Sequence, residues 1–156
     1  MRFGALTAGM CVAGLALAPV ASAEPPPDLK DYPLAEGNYA VQADPGWLFF
    51  VVDFGGKPVE HHDYFGCGMG PDGTVGCDRV PANPPPGTNQ TVASADEPGS
   101  YRFSLTPTFS REVDVLPEGR RLENGGAKCQ RGYQGSVSCR SGEHGFVLST
   151  TWGENW

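Results

Sequence analysis

The chain has 156 residues, with 18 Asp+Glu against 11 Lys+Arg and a formal net charge of −7. That sign disfavours nucleic acid, whose binding rests on cationic contacts to phosphate, and it disfavours anionic lipid headgroups. The acidic residues are scattered rather than clustered, so the charge reads as solubility.

The chain opens with "MRFGALTAGMCVAGLALAPVASA", residues 1–23. Arg2 precedes an uncharged apolar run, and Ala21-Ser22-Ala23 has the small-x-small form of a signal-peptidase site. Gly9, Gly14, Pro19 and the shortness of the apolar core weigh against a permanent transmembrane helix. Cys11 follows Met10, which is too large for a lipidation site, and there is no twin arginine. The expectation is ordinary export by signal peptide, with secretion or residence in the cell envelope and no membrane span after cleavage. Removal of 1–23 leaves 133 residues, enough for one domain. It also leaves ten Lys+Arg against 18 Asp+Glu, a net charge of −8.

Residues 24–33, "EPPPDLKDYP", are proline-rich and predict an extended tether. The tether is taken to span 24–36 outside the fold, and a single β-rich domain to span 37–156. "WLFFVVDF" (47–54) is the most apolar stretch and predicts a buried central strand.

"EHHDY" (60–64) concentrates metal-ligand types. In an extended segment His61 and His62 point to opposite faces, so a shared ion needs Glu60 or Asp63 from the correct side. A hydrophilic loop explains the cluster better, and no metal or cofactor is expected.

"GCGMGPDGTVGC" (66–77) places Cys67 and Cys77 either side of a turn. If the two face each other, the loop is Pro71-Asp72-Gly73, a type I turn closed by a left-handed residue. Proline, aspartate and glycine suit those three positions in order. Counting outward from a hydrogen-bonded Gly70/Thr74 pair, the cysteines fall on a non-hydrogen-bonded pair, about 4.5 Å apart, which a disulfide can bridge. "KCQRGYQGSVSC" (128–139) repeats the spacing 62 residues later, with Gly135 where Gly73 stood. This register also sets Lys128 opposite Arg140, a mildly unfavourable pair. Nine intervening residues suit neither a redox C-x-x-C nor structural zinc. Four cysteines in an exported chain therefore predict two local disulfides, Cys67–Cys77 and Cys129–Cys139.

"PANPPPGTN" (81–89) is a loop, while "NQTVAS" (89–94), "SYRFSLT" (100–106), "REVDVL" (111–116) and "GFVLSTTW" (145–152) alternate as half-buried strands do. "LPEG" and "ENGG" are turn signals between them. No window carries a capped helical stripe. The expected fold is all-β, a small antiparallel β-sandwich or partly open barrel with two disulfide-stapled hairpins.

His144 and a serine such as Ser149 might be drawn with a carboxylate as a triad, but a triad is a geometry and not a composition. The G-x-S-x-G elbow and any phosphate-cradling glycine loop are absent from the sequence. No catalytic residue is therefore assigned. Trp47 opens the apolar strand and reads as core. Trp152 and Trp156 in "TTWGENW" are the candidate ligand-contact aromatics.

The stretches "CGMGPDGTVGCD", "GTNQTV", "LPEGRRL", "CQRGYQGSVSC" and "HGFVLS" resemble a group of small exported proteins of mycobacteria and related actinobacteria. The similarity runs from about residue 47 to 151. The resemblance carries over no catalytic residue; it implies export from an actinobacterial cell and a β-rich domain with two disulfides. The leading expectation is a non-enzymatic extracytoplasmic module that binds an envelope protein, a glycan or a small apolar ligand. The alternatives are a secreted hydrolase using His144 or a carboxylate pair, and a metal-binding protein using the 60–63 cluster.

Overall fold

The computed structural model describes residues 32–54, 64–133 and 135–156. Ten strands form two antiparallel five-stranded sheets, each a meander in which every strand pairs with its sequence neighbour. The first sheet holds β1 (Leu48–Asp53), β2 (Tyr64–Met69), β3 (Val75–Cys77), β4 (Gln90–Ala93) and β5 (Ser100–Arg102). The second holds β6 (Arg120–Asn124), β7 (Ala127–Gly132), β8 (Ser136–Ser141), β9 (His144–Leu148) and β10 (Gly153–Asn155). β2 faces β7, β3 faces β8 and β4 faces β9, so the two meanders stack as an open sandwich.

Both stapled hairpins form as the turn chemistry dictates. Gly73 takes φ +83° and Gly135 takes φ +72°, the left-handed positions that favour glycine. The amide of Gly70 donates to the carbonyl of Thr74 at 2.7 Å, and Cys67 pairs with Cys77. Cys129 pairs with Cys139, and Lys128 does stand opposite Arg140. The disulfides join Cys67 to Cys77 and Cys129 to Cys139, with Cα separations of 4.0 and 4.1 Å.

The repetition extends from the hairpins to the whole sheet. One cross-strand row runs Phe50, Cys67, Cys77, Thr91; its counterpart runs Leu122, Cys129, Cys139, Phe146. All eight are buried, and the two rows form the middle of the core. Each disulfide thus ties the second strand of its meander to the third, in the interior.

β1 is apolar because it is enclosed, yet it stands at the end of its sheet rather than at the centre. Its outer edge is covered instead by chain from elsewhere. Phe49 N donates to Tyr39 O at 2.7 Å, Val51 N donates to Asp114 O at 3.1 Å, and Leu116 N donates to Val51 O at 3.0 Å. The segment 111–116, expected as a strand, contributes only the single parallel bridge Val51/Val115. Residues 33–35, expected as tether outside the fold, lie along the outer edge of β6: Ala35 N donates to Arg121 O, and Arg121 N to Pro33 O.

Two strands, β6 and β10, were not legible beforehand. β6 enters β7 through Gly125 (φ +56°) and Gly126 (φ +84°), a two-residue turn of the kind "ENGG" signals.

Candidate functional site

On the outer face of the first sheet the side chains of β2 and β3 disappear. Gly66, Gly68 and Gly76 alternate with the inward Phe65, Cys67, Met69 and Cys77, leaving a bare strip of backbone. The 107–111 segment fills it. Phe109 is only 3% exposed, and a β-carbon on Gly76 would come within 2.2 Å of its ring. Trp47 stacks on Phe49 and tilts over Phe109, while the Arg111 guanidinium lies 4.5 Å from the Phe49 ring centre. A small second core therefore sits outside the sandwich.

Asp78, immediately after β3, fixes the strap that carries Phe109. Its Oδ1 accepts from Gln90 Nε2 (2.6 Å) and from the Thr108 amide (2.9 Å). Its Oδ2 accepts from the Phe109 amide (2.9 Å) and the Ser110 hydroxyl (2.7 Å). Such charge-assisted bonds are the strong ones. At the strap's far end Arg111 Nε donates to Asp44 Oδ2 at 2.8 Å. That bond holds the Asp44 carboxyl below its ordinary range, against the opposing effect of burial.

Between β5 and the strap the chain makes the one exposed apolar projection whose backbone is clamped from both sides. Asn89 Nδ2 donates to Ser104 O (2.8 Å), and Ser104 N donates to Asn89 Oδ1 (2.9 Å). The Ser104 hydroxyl donates to Thr106 O. Phe103 is 62% exposed and Leu105 is 90% exposed. A recess of about 150 Å3 adjoins Leu105, lined also by Asp78, Asn89, Gln90 and Ser104. The expected strand 100–106 stops at Arg102 because the Asn89 side chain takes over the backbone groups of Ser104. Phe103 and Leu105 are consequently in water rather than half-buried.

The sequence-selected residues fall in separate places. His144 begins β9 opposite Ser141 and is partly buried. Ser149 lies five residues further along extended chain, roughly 16 Å away, and its amide donates to Trp152 O. The two do not meet. Trp152 is 51% exposed on the turn between β9 and β10. Trp156 folds back: its amide and carbonyl bond Gly145, its carbonyl also accepts from Gly99, and its ring crowds the Gly145 backbone. Glu60, His61, His62 and Asp63 lie outside the described residues. Among the described residues, no three His, Cys, Asp or Glu side chains group as ligands for an ion.

Asp78, Asn89 and the 103–107 loop escaped the sequence reading because their partners lie 12 to 32 residues away. The legible signal was the glycine at every second position of β2, which marks a face that other backbone approaches closely. Comparison with family models, curated proteins and solved structures found no match.

Proposed function

We propose that this protein is an exported β-sandwich that works by binding, not by catalysis, in the cell envelope or beyond it. Two buried disulfides suit an oxidising, extracytoplasmic environment. The observation that carries the binding reading is the set of large apolar side chains a well-packed fold leaves in water. Phe103, Leu105, Tyr133 and Trp152 are each more than half exposed, and such groups are the usual anchors of recognition surfaces. Of the three ligand classes, the described recesses favour a protein or glycan over a small apolar molecule. Their linings include Glu36 and Arg120 in one, and Asp78, Asn89 and Gln90 in the other, where apolar cavities are lined mostly by hydrophobic groups.

The test is saturable binding of the folded mature domain to fractionated envelope material, one arm protease-treated and one arm glycosidase-treated. Binding lost in one arm, and weakened by Trp152→Ala or by changes at Phe103 and Leu105, is the expected result. Turnover of an ester, peptide or glycoside panel that disappears in His144→Ala would overturn it in favour of a hydrolase.

A further inference from the structure

The 103–107 loop combines two properties that seldom occur together, high apolar exposure and a fixed backbone. Loops that carry no function are mobile and polar. Here Asn89 brackets Ser104 from both sides, Ser104 Oγ holds Thr106, and Asp78 anchors Thr108 just beyond. Leu105 is nonetheless 90% exposed and Phe103 62%. Ordering a loop in advance lowers the entropic cost of binding.

We infer that this loop is the docking element for a folded protein partner, which receives Phe103 and Leu105 in an apolar pocket. This rests on the binding reading above and names its surface and occupant. Three observations choose a protein. The projection adjoins a recess of about 150 Å3 lined by Asp78, Asn89, Gln90 and Ser104. A protein side chain can hydrogen-bond there, whereas acyl chains have nothing to offer it. The rim is neutral and polar (Thr88, Asn89, Ser104, Thr106), as interface rims are. The chain's net charge of −7 repels an anionic bilayer, and two apolar side chains fall short of a stable membrane anchor. A second copy is disfavoured because the polar recess is a poor receptor for the neighbour's Leu105.

A photo-crosslinking amino acid at Thr106, in cells exporting the full chain, tests this. The expected result is one discrete, protease-sensitive adduct. It should fall about tenfold or more in Phe103→Ser/Leu105→Ser and be absent with the probe at Glu143, which is 87% exposed at the other end of the sandwich. Because both side chains are in water, the double variant should melt within about 2 °C of the parent. An adduct of twice the chain's own mass would overturn the inference in favour of a second copy. Pelleting of the parent, but not the variant, with phosphatidylglycerol vesicles would overturn it in favour of a membrane. An adduct indifferent to the double substitution, or none, overturns the loop; retained binding of that variant to envelope fractions would then show that the wider binding reading survives.

Discussion

Gly76 and Phe109 occupy one another's space: a β-carbon on the glycine would sit 2.2 Å from the Phe109 ring. Gly76→Ala must therefore expel the ring or move β3, and overpacking of this kind costs about 1–3 kcal/mol. The reciprocal measurement is decisive. In a Phe109→Ala background the same alanine should cost almost nothing, since the obstructing atoms are gone. A double-mutant cycle by urea denaturation reads the coupling; independent, additive losses would refute the close approach.

Asp78 should behave as the clasp of that strap. Asp78→Ala strands four donors, those of Gln90, Thr108, Phe109 and Ser110. A loss of about 2–4 kcal/mol follows from unsatisfied, charge-assisted bonds. Limited proteolysis should place the first cleavages within 103–111 rather than in the hairpins. Cleavage elsewhere, with that segment protected, would show that the strap is held by Phe109 alone.

The stapled hairpins were legible and the strap was not, and the difference is one of range. Pro71, Asp72, Gly73 and the two cysteines specify their turn within twelve consecutive residues, so local chemistry alone fixes the register. Phe109 stands in "TPTFSRE", without periodicity, and is positioned by a carboxylate 31 residues earlier. β1 misled in the opposite direction. "LFFVVD" has the composition of a central strand, but the enclosure comes from Tyr39 and Asp114 at its edge, contacts no window of sequence displays. β6, "RRLEN", was missed because its outer partner is only residues 33–35 and its side chains alternate charged with apolar only once.

Both disulfides lie in the core, with all four cysteines fully buried. Native protein should therefore resist dithiothreitol and react only after unfolding, which a thiol titration with and without denaturant measures. Replacing either pair by alanine should cost about 2–3 kcal/mol on chain-entropy grounds. Non-reducing peptide mapping must return only the two local pairs; a crossed peptide would contradict the sheet register. Gly73→Val should destabilise the same hairpin as Cys67→Ala/Cys77→Ala, because its φ is +83° and its added β-carbon would meet Gly125 O at 2.9 Å.

Acid should weaken the fold through a small set of carboxylates. Asp44 is held below its ordinary value of 3.8 by the Arg111 hydrogen bond, and Asp72 by the Thr74 backbone amide. Glu123 is held below 4.5 by Arg121. Each binds its proton more weakly folded than unfolded, so its stabilisation is complete above those ordinary values and disappears as pH falls through the lowered ones. Melting temperature should be flat from neutrality to about pH 5 and decline below about pH 4. Asp72→Asn should shallow that decline. All three groups are near the surface, so the effects are small and those at Asp44 and Glu123 should shrink further in high salt. A decline beginning near pH 6 would instead point to histidine.

Arg131 is the charge the fold has taken furthest inside. It follows Ala127 and Cys129 on the inward face of β7 and is 6% exposed. Its guanidinium donates to the carbonyls of Leu116 and Asp53, and Glu118 lies 3.8 Å away. Those two carbonyls belong to the chain that closes the edge and end of β1, so one side chain ties both meanders together. Arg131→Ala leaves them without their donor and opens a void, and a loss of about 3–5 kcal/mol is expected. Arg131→Lys keeps the charge but not the fork, and should recover only part of that loss. Glu118→Gln separates the contributions. If the ion pair matters, it should weaken the protein substantially; if the carbonyl bonds dominate, as their geometry argues, it should change stability by under about 1 kcal/mol. Equal losses in Glu118→Gln and Arg131→Ala, measured by urea denaturation, would assign the role to the pair and not to the backbone clamp.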